Sequence, residues 1–462
     1  MKKRLAILAL ALLLMLPVAA CGNGTEAEGG SNGAANHPAR GIDREEVQTL
    51  TMMGFAIHPD IISRVNLFNL TSRTHRIEVT DFRDDDILGF EAVQAALTRM
   101  MAEMSVGRGP DIIYVGVGWE RFEPMLRRGM FLDLFPLIEA DPDINRADFF
   151  PNILAAGMAP DGSLATISNG FMIDSMIGRA DRLPNPEDWT LQAMLDLLEE
   201  SHAQGMEFPM GMMTSLAFFR IWSSLWYREF IDSDTNVSDF DNADFIRILE
   251  FAARLPGLED FPHFDERNLP PHMLLSLLRE YQVLSPYLIF SIPFFQEYLA
   301  VGEGLVIVGH PSQEGGVHLA RTGLNMGIHA NSPHAEAAWS FIRELLLPEA
   351  WNPAVGLPIR IDQFEKMVEE AMTPFILDGE VLPVRLLRLD TGVEADIYAL
   401  TEEEADFLRS IIESAVPADW WGDTVINIIL DETVPFFAGS RSAEDTVRII
   451  QNRAQTALHE RR

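Results

Sequence analysis

Cysteine is almost absent. The chain of 462 residues holds one, Cys21, so no internal disulfide can form and the fold rests on packing. Basic residues are scarce: 35 Lys and Arg stand against 69 Asp and Glu. The net charge of −34 repels nucleic acid and anionic lipid head groups, which excludes a DNA- or RNA-binding protein. The apolar run Leu5–Leu16 is too short to span a bilayer. No GxSxG, HExxH or phosphate-binding loop occurs, and GVGWER (Gly116–Arg121) lacks the third glycine of a dinucleotide fingerprint. The 11 histidines are scattered; His310 and His318 flank a turn, where a loop role is expected over metal ligation. No cofactor or metal is expected.

What is present begins at the N-terminus. Lys2, Lys3 and Arg4 precede the apolar run, the pattern of a secretory signal peptide over residues 1–20. Val18-Ala19-Ala20-Cys21 resembles the lipobox of bacterial lipoproteins, in which the thiol receives a lipid and the preceding peptide is cut off. Cys21 would then be the lipid attachment site and the mature N-terminus, on the extracytoplasmic face of the bacterial cell membrane. Removing three bases and no acid takes the charge to −34 − 3 = −37. Without a polybasic patch beside it, lipid alone must anchor the chain. From Gly22 to about Asn36 almost nothing can pack, so residues 21–45 read as a flexible tether.

A chain this long with 47 % hydrophobic residues exceeds one core, so two large folding units are expected. Leu50–Ile57, His75–Phe82 and Asp111–Gly116 read as strands. Between them Ile61, Val65 and Phe68 mark one helix, and Phe90, Val93, Leu97, Met100 and Met104 the apolar face of another. Strand and helix alternating at this spacing predict right-handed crossovers in a parallel sheet. Downstream, Thr190 caps a helix through Leu191, Met194, Leu195 and Leu198, and Phe245, Ile248, Leu249 and Ala252 line the next. Leu305–Gly309 reads as a buried strand; Ser332 and Pro333 as the start of a helix; Ser442 and Asp445 as a capping box for the last one. The class is α/β.

Several segments, in their order, resemble family-1 extracellular solute-binding proteins, the maltose-binding-protein-like receptor subunits of ABC importers. They are GRGPDIIYVG, RRGMFLDL, DWT before a helix, FIDSDTNVSDFDNADFIRILEFAARLP, VGHPSQEGG, GIHANSPHAEAAWSFIRELL, GLPIR and FFAGSRSAEDTVRIIQNR. The resemblance covers nearly all of the mature chain. It implies a two-lobed, type II periplasmic-binding-protein-like fold, each lobe a mostly parallel sheet flanked by helices, with the ligand in a cleft between lobes. Lobe 1 would take 46–167 and 306–348, and lobe 2 would take 168–305 and 349–462. Hinges would lie near Ser168 and Val306. It further implies capture of a sugar or oligosaccharide, delivery to an ABC permease, a monomer, and no catalysis.

A sugar site needs aromatic platforms and paired polar groups. The resemblance places Glu120 and Arg121 as the sugar-binding acidic-basic pair with Trp119 as a platform, and it brings Trp420 or Trp421 to the cleft. Two adjacent aromatics on a helix point different ways, so one of them is core. Trp222 is the candidate from the aromatic stripe Phe219, Trp222, Trp226, which is equally the pattern of a core-facing helix. Tyr287, Phe290 and Phe294 lie near the cleft by family position, whereas Trp189 and Trp339 read as structural. The first loop, GFAIHPDI, lacks the family's charged pair, leaving His58 and Asp60 as its polar groups.

Other readings stay in view. An exported, lipid-anchored hydrolase would use a carboxylate pair such as Asp81 and Glu120, and a third possibility is a binding protein that serves a sensor kinase. DPDINRAD and DSDTNVSD imitate calcium loops but carry Arg146 and Val237 where the turn glycine belongs, and Asn152 and Ala243 where the bidentate Glu belongs.

Overall fold

The structure is a computed structural model that describes residues 47–82, 90–116, 123–206, 209–210, 214–215, 218–219, 226–232, 235–255, 282–352, 356–388, 394–418 and 424–460. The described strands, in chain order, are β1 Gln48–Gly54, β2 His75–Asp81, β3 Ile112–Val115, β4 Gly170–Arg179, β5 Ile231–Asp232, β6 Val237–Ser238, β7 Leu284–Ile289, β8 Leu305–Ile307, β9 Leu319–Thr322, β10 Asn325–Ile328, β11 Leu357–Pro358, β12 Phe375–Leu377, β13 Glu380–Leu382, β14 Arg385–Arg388, β15 Glu394–Ile397 and β16 Val416–Pro417.

The first sheet has the order β10-β3-β1-β2. β1 pairs in parallel with β2 and with β3, as the alternation of strand and helix predicts, and β10 closes the edge antiparallel to β3. Helices fit between these strands for local reasons. In Pro59–Thr71 the proline sits in the first turn and Ile61, Val65 and Phe68, one helical face, are buried. In Phe90–Ser105, Met100 and Met104 point into the apolar cluster that holds Ile113 and Val115.

The second sheet departs from expectation. β4 is its centre, and β7, β8, β9 and β11 all run antiparallel to it; only β16 beside β9 is parallel. Register explains the layout. Ile173 faces both Ile289 of β7 and Ala320 of β9, while Ile177 faces both Ser285 of β7 and Ile307 of β8. β7 and β11 therefore share one edge of β4, and β8 and β9 share the other. The helix Ile292–Val301 carries the chain from β7 across β4 to β8, so those two strands run the same way with an opposed strand between them.

β9 belongs to the second sheet and β10 to the first, with only Gly323 and Leu324 between them. The chain also passes between sheets before β4, where Ile167 bridges Met326, and again between β10 and β11. One apolar cluster includes Leu50, Ile77 and Ile112 of the first sheet and Phe171, Ile173 and Ile289 of the second. A second cluster joins Met176 with Trp189, Phe219, Trp226 and the helices Leu191–Ala203, Ala243–Ala253, Thr424–Phe437 and Ala443–Glu460.

Caps divide into met and unmet expectations. Thr190 accepts the Ala193 N–H at 3.3 Å, and Ser442 accepts the Asp445 N–H at 3.1 Å. Ser332 does not begin its helix. That helix is Ala335–Leu346, with His334 before it, because the Ser332 hydroxyl donates to Asp111 Oδ1 at 2.6 Å and accepts the His334 N–H at 3.0 Å. The hydroxyl thus ties the turn to the start of β3 instead.

Candidate functional site

In the order β2-β1-β3 the chain leaves β1 toward one side of the sheet and reaches β3 on the other, so the carboxyl ends of β1 and β3 form a topological switch point, where open α/β sheets place their ligands. Two chain segments meet this edge: Phe55–His58 after β1, and the residues that follow Val115. Their packing centres on Tyr114. A side chain on Gly54 would bring a Cβ within 2.8 Å of Tyr114 Cβ, and one on Gly116 within 2.4 Å of its ring. Glycine at both positions is what lets the ring lie along this edge. Burial pushes the Tyr114 phenol up to about 12, against an opposing hydrogen bond from the His58 backbone, so it stays protonated and able to donate.

Ala56 is left-handed at φ 50°, a strained conformation for a residue with a Cβ. Asp81 at the end of β2 holds it there, accepting the Ala56 N–H on Oδ1 at 2.8 Å and the Ile57 N–H on Oδ2 at 2.9 Å. His58 Nδ1 accepts the Asp60 N–H at 3.2 Å and so caps the helix Pro59–Thr71. Asp60 Oδ1 accepts from Asn352 Nδ2 at 3.0 Å, while its Oδ2 is buried with no hydrogen bond among the described residues. The two polar groups named from the sequence are therefore employed mainly in building the loop.

The second sheet contributes a buried charged group that the sequence reading did not single out. Asp174 on β4 is 5 % exposed; Oδ1 lies 3.2 Å from His310 Nε2, and Oδ2 takes a hydrogen-bonded ion pair from Arg321 on β9. Burial drives the Asp174 carboxyl upward, but His310 and Arg321 outweigh it and hold the group below the usual carboxylate range. Burial lowers Arg321, whose side chain is 26 % exposed. His318 Nδ1 lies 2.9 Å from Ser175 Oγ; burial, with the His310 charge beside it, takes the imidazole down to about 4. Register puts Met172, Asp174 and Arg321 on one face of the sheet, and strand β9 leads from Arg321 straight to the passage at Gly323. A guanidinium fixed by a buried carboxylate and partly open to solvent is an oriented donor fork for hydroxyl or carboxylate oxygens.

The other sequence candidates separate cleanly. Cys21, Trp119, Glu120, Arg121, Trp222, Trp420 and Trp421 lie outside the described residues. Trp119, Glu120 and Arg121 follow β3 closely in the chain, and Trp420 and Trp421 follow Ala418, whose N–H bonds Ala320 O at 2.9 Å beside Arg321. Tyr287 and Phe294 are core. Tyr287 is 1 % exposed, stacks on Phe294 at 5.3 Å and donates to the Phe294 carbonyl at 3.4 Å; Phe290 stacks on Phe294 at 4.7 Å. The cause is register, because Tyr287 pairs with Ser175 and so faces away from Asp174 and Arg321.

Phe219 and Trp226 are buried, as are Trp189, which donates to Gly309 O at 3.0 Å, and Trp339, which donates to Asp141 at 3.1 Å. The acids of DPDINRAD serve arginines: Asp141 and Asp143 pair with Arg343, and Asp148 with Arg360. A signal for Asp174 was present in NGFMIDSMIGR, since one carboxylate inside an apolar strand must find a buried counter-charge. Nothing in the sequence indicated that Arg321 and His310 would supply it.

No protein-family model matches the sequence, and no curated relative matches it. Solved structures do match in shape. The sugar-binding protein MalE from Xanthomonas citri superposes with a TM-score of 0.53 at 16 % identity, over 89 % of this chain and 98 % of that one. An ABC substrate-binding protein from Listeria monocytogenes in complex with cycloalternan gives 0.53 at 13 %, over 90 % and 100 %. An ABC transporter solute-binding protein from Thermotoga lettingae bound with α-D-tagatose gives 0.52 at 14 %, over 89 % and 100 %. With two helix-flanked sheets joined at Ile167–Asn169, at Gly323–Leu324 and between β10 and β11, this chain has the α/β fold of the type II periplasmic-binding proteins.

Proposed function

We propose that this chain is an extracellular solute-binding protein of family 1 that captures a sugar or oligosaccharide by closing two lobes and passes it to an ABC permease. The observation that carries the reading is the fold shared with proteins described as binding sugars, in which the carboxyl ends of β1 and β3 form a topological switch point. The loop Phe55–His58 flanks it, and Trp119, Glu120 and Arg121 are the residues we assign to the solute from the segment after β3. Arg321 would present its guanidinium from the second sheet, with Trp420 or Trp421 as the facing platform. Trp222, from the aromatic stripe Phe219, Trp222, Trp226, is the remaining platform candidate of lobe 2.

We place lobe 1 at 46–167 plus the segment from Leu324 to Pro348, and lobe 2 at 168–323 and 349–462. Because β9 pairs with β4, we move the proposed second crossing from near Val306 to Gly323. The N-terminal features support export, lipidation at Cys21 and a tether of residues 21–45 holding the body to the outer face of the membrane. No helix among the described residues is long and apolar enough to cross a membrane. The hydrolase reading has less support, because both oxygens of Asp81 are taken up by backbone N–H groups.

The test is a thermal-shift and calorimetric screen against mono- and oligosaccharides, with product analysis of every hit. A solute at a hundredfold its Kd adds about 2.7 kcal/mol of stability. The reading requires a saccharide that stabilises the protein and is recovered intact, and loss of that shift in Arg121→Ala and Arg321→Gln while both stay folded. Consumption of the sugar would transfer the case to the hydrolase; retention of the shift in both variants would refute the site.

A further inference from the structure

Two of the passages between the sheets run side by side at one point. Where the chain enters β4 it pairs with β11, Gly170 opposite Pro358, and the next link is the Ile359 N–H to the Asn169 carbonyl at 3.4 Å. Pro358 has no N–H to donate, so this joint is thin in direct hydrogen bonds. Polar side chains gather beside it all the same. Asn169 is 4 % exposed, and neither its Oδ1 nor its Nδ2 meets a partner within the protein. Trp351 Nε1, from the passage between β10 and β11, and Arg360 Nη1, just past β11, are likewise buried without a hydrogen bond.

Asn169, Trp351 and Arg360 line one cavity, together with Leu345 and Leu346 from the end of the helix Ala335–Leu346. The space open to the centre of a water molecule there is about 10 Å³, which is room for one water and far too little for a sugar ring. A buried amide with neither atom paired is costly, and native folds rarely keep one without a bound partner. Four polar atoms from three side chains, around a space of this size, match what one buried water requires.

Donors outnumber acceptors among these atoms, which makes a small anion the rival occupant. Charge decides against it. Arg360 already pairs with Asp148 at 3.3 Å and with Asp362 at 2.7 Å, and the Asp148 carboxylate stands beside the same Nη1 that an anion would need. An anion would also leave Asn169 Oδ1 unpaired, because it has no hydrogen to donate. Water supplies both halves of the bonding: its oxygen accepts from N–H groups and its hydrogens reach Oδ1.

We propose that one water is bound in this cavity, accepting from the Trp351 Nε1–H and donating to Asn169 Oδ1, and that it ties the passage before β4 to the passage that ends at β11. It provides the hydrogen-bonded link that Pro358 cannot make at this joint. The site is independent of the solute-binding reading.

The test is crystallographic, with crystals of the protein grown in NaCl and in NaBr and measured to about 1.5 Å resolution. A single density peak within about 3.2 Å of both the Asn169 amide and Trp351 Nε1, with no anomalous bromine signal, is the expected result. Absence of a peak overturns the proposal, and so does a bromine signal, which would assign the cavity to an anion. The peak should vanish in crystals of Asn169→Leu, and a peak that persists there overturns the assignment of Asn169. Urea denaturation gives an independent reading in solution. Asn169→Leu nearly keeps the size and removes both polar atoms: in a dry cavity it relieves two unpaired groups and raises the midpoint, whereas around a bound water it takes away that water's acceptor and lowers the midpoint. A lower midpoint is expected, and a higher one overturns the site. Should Asn169→Leu fail to fold, Trp351→Phe removes only the N–H donor and decides alike. Its midpoint should fall, and a midpoint equal to or above the parent's overturns the site.

Discussion

Asp81, the last residue of β2, fixes Ala56 in a left-handed conformation by accepting its N–H at 2.8 Å and that of Ile57 at 2.9 Å. The carboxylate thus sets the path of the loop after β1. Asp81→Ala should cost about 2–3 kcal/mol in urea denaturation, the usual loss for hydrogen bonds to a charged group. Ala56→Gly should act the other way. It relieves about 1–2 kcal/mol of left-handed strain and gives back about 0.5–1 kcal/mol in unfolded-state entropy, for a small net gain. An Asp81→Ala variant as stable as the parent would show that the loop holds itself.

The Asp174–Arg321 pair predicts strong non-additivity. Asp174→Asn leaves Arg321 without its counter-charge, and Arg321→Met leaves a carboxylate 5 % exposed; each should cost about 3–5 kcal/mol, the second more. Asp174→Asn with Arg321→Met removes both charges and should cost clearly less than the two single losses combined. Additive losses in the cycle would mean that the two groups do not depend on each other.

His318 gives the sheet an acid-sensitive limb. Its folded pKa, about 4, lies below the ordinary histidine value near 6.5, so the unfolded chain takes up a proton in that interval and the native one does not. Stability from this group is complete above pH 6.5 and is lost as pH falls toward 4, by about 3 kcal/mol. His318→Gln should flatten that part of the curve of unfolding free energy against pH. An unchanged slope in the variant would assign the acid limb to other groups.

Legibility followed the reach of each interaction along the chain. The parallel β1–β2–β3 unit and the faces of Ile61, Val65, Phe68, Met100 and Met104 were readable because strand and helix periods are local. Thr190 and Ser442 were readable as caps for the same reason. Ser332 was misread because its hydroxyl is claimed by Asp111, which lies 221 residues away. The antiparallel second sheet escaped because strand direction depends on which strand lies between β7 and β8, and no local pattern records that. Tyr287 and Phe294 were assigned to the cleft by likeness; a pairing register invisible in its own segment turns Tyr287 into the core, and Phe294, on the helix Ile292–Val301, stacks on it there. Asp174 could be noticed from its apolar neighbours, but its partners Arg321 and His310 are more than 130 residues away.

Glu229 supplies the opposite pH signature. It lies in the turn Tyr227–Phe230 beside Trp226, and burial raises its carboxyl to about 6 from an ordinary 4.5. Here the native state holds the proton longer than the unfolded one, so stability falls as pH rises from 4.5 through 6 and stays reduced above it. The shift alone corresponds to about 2 kcal/mol, and partial solvent access brings the expectation to about 1 kcal/mol. Glu229→Gln keeps the shape and removes the charge. It should therefore raise the unfolding free energy by that amount at pH 7.5 relative to pH 3, where the carboxyl is protonated in both the folded and the unfolded chain. A gain equal at both pH values would point to packing instead of charge, and a loss at pH 7.5 would mean that the ionised carboxylate has a favourable partner in the fold.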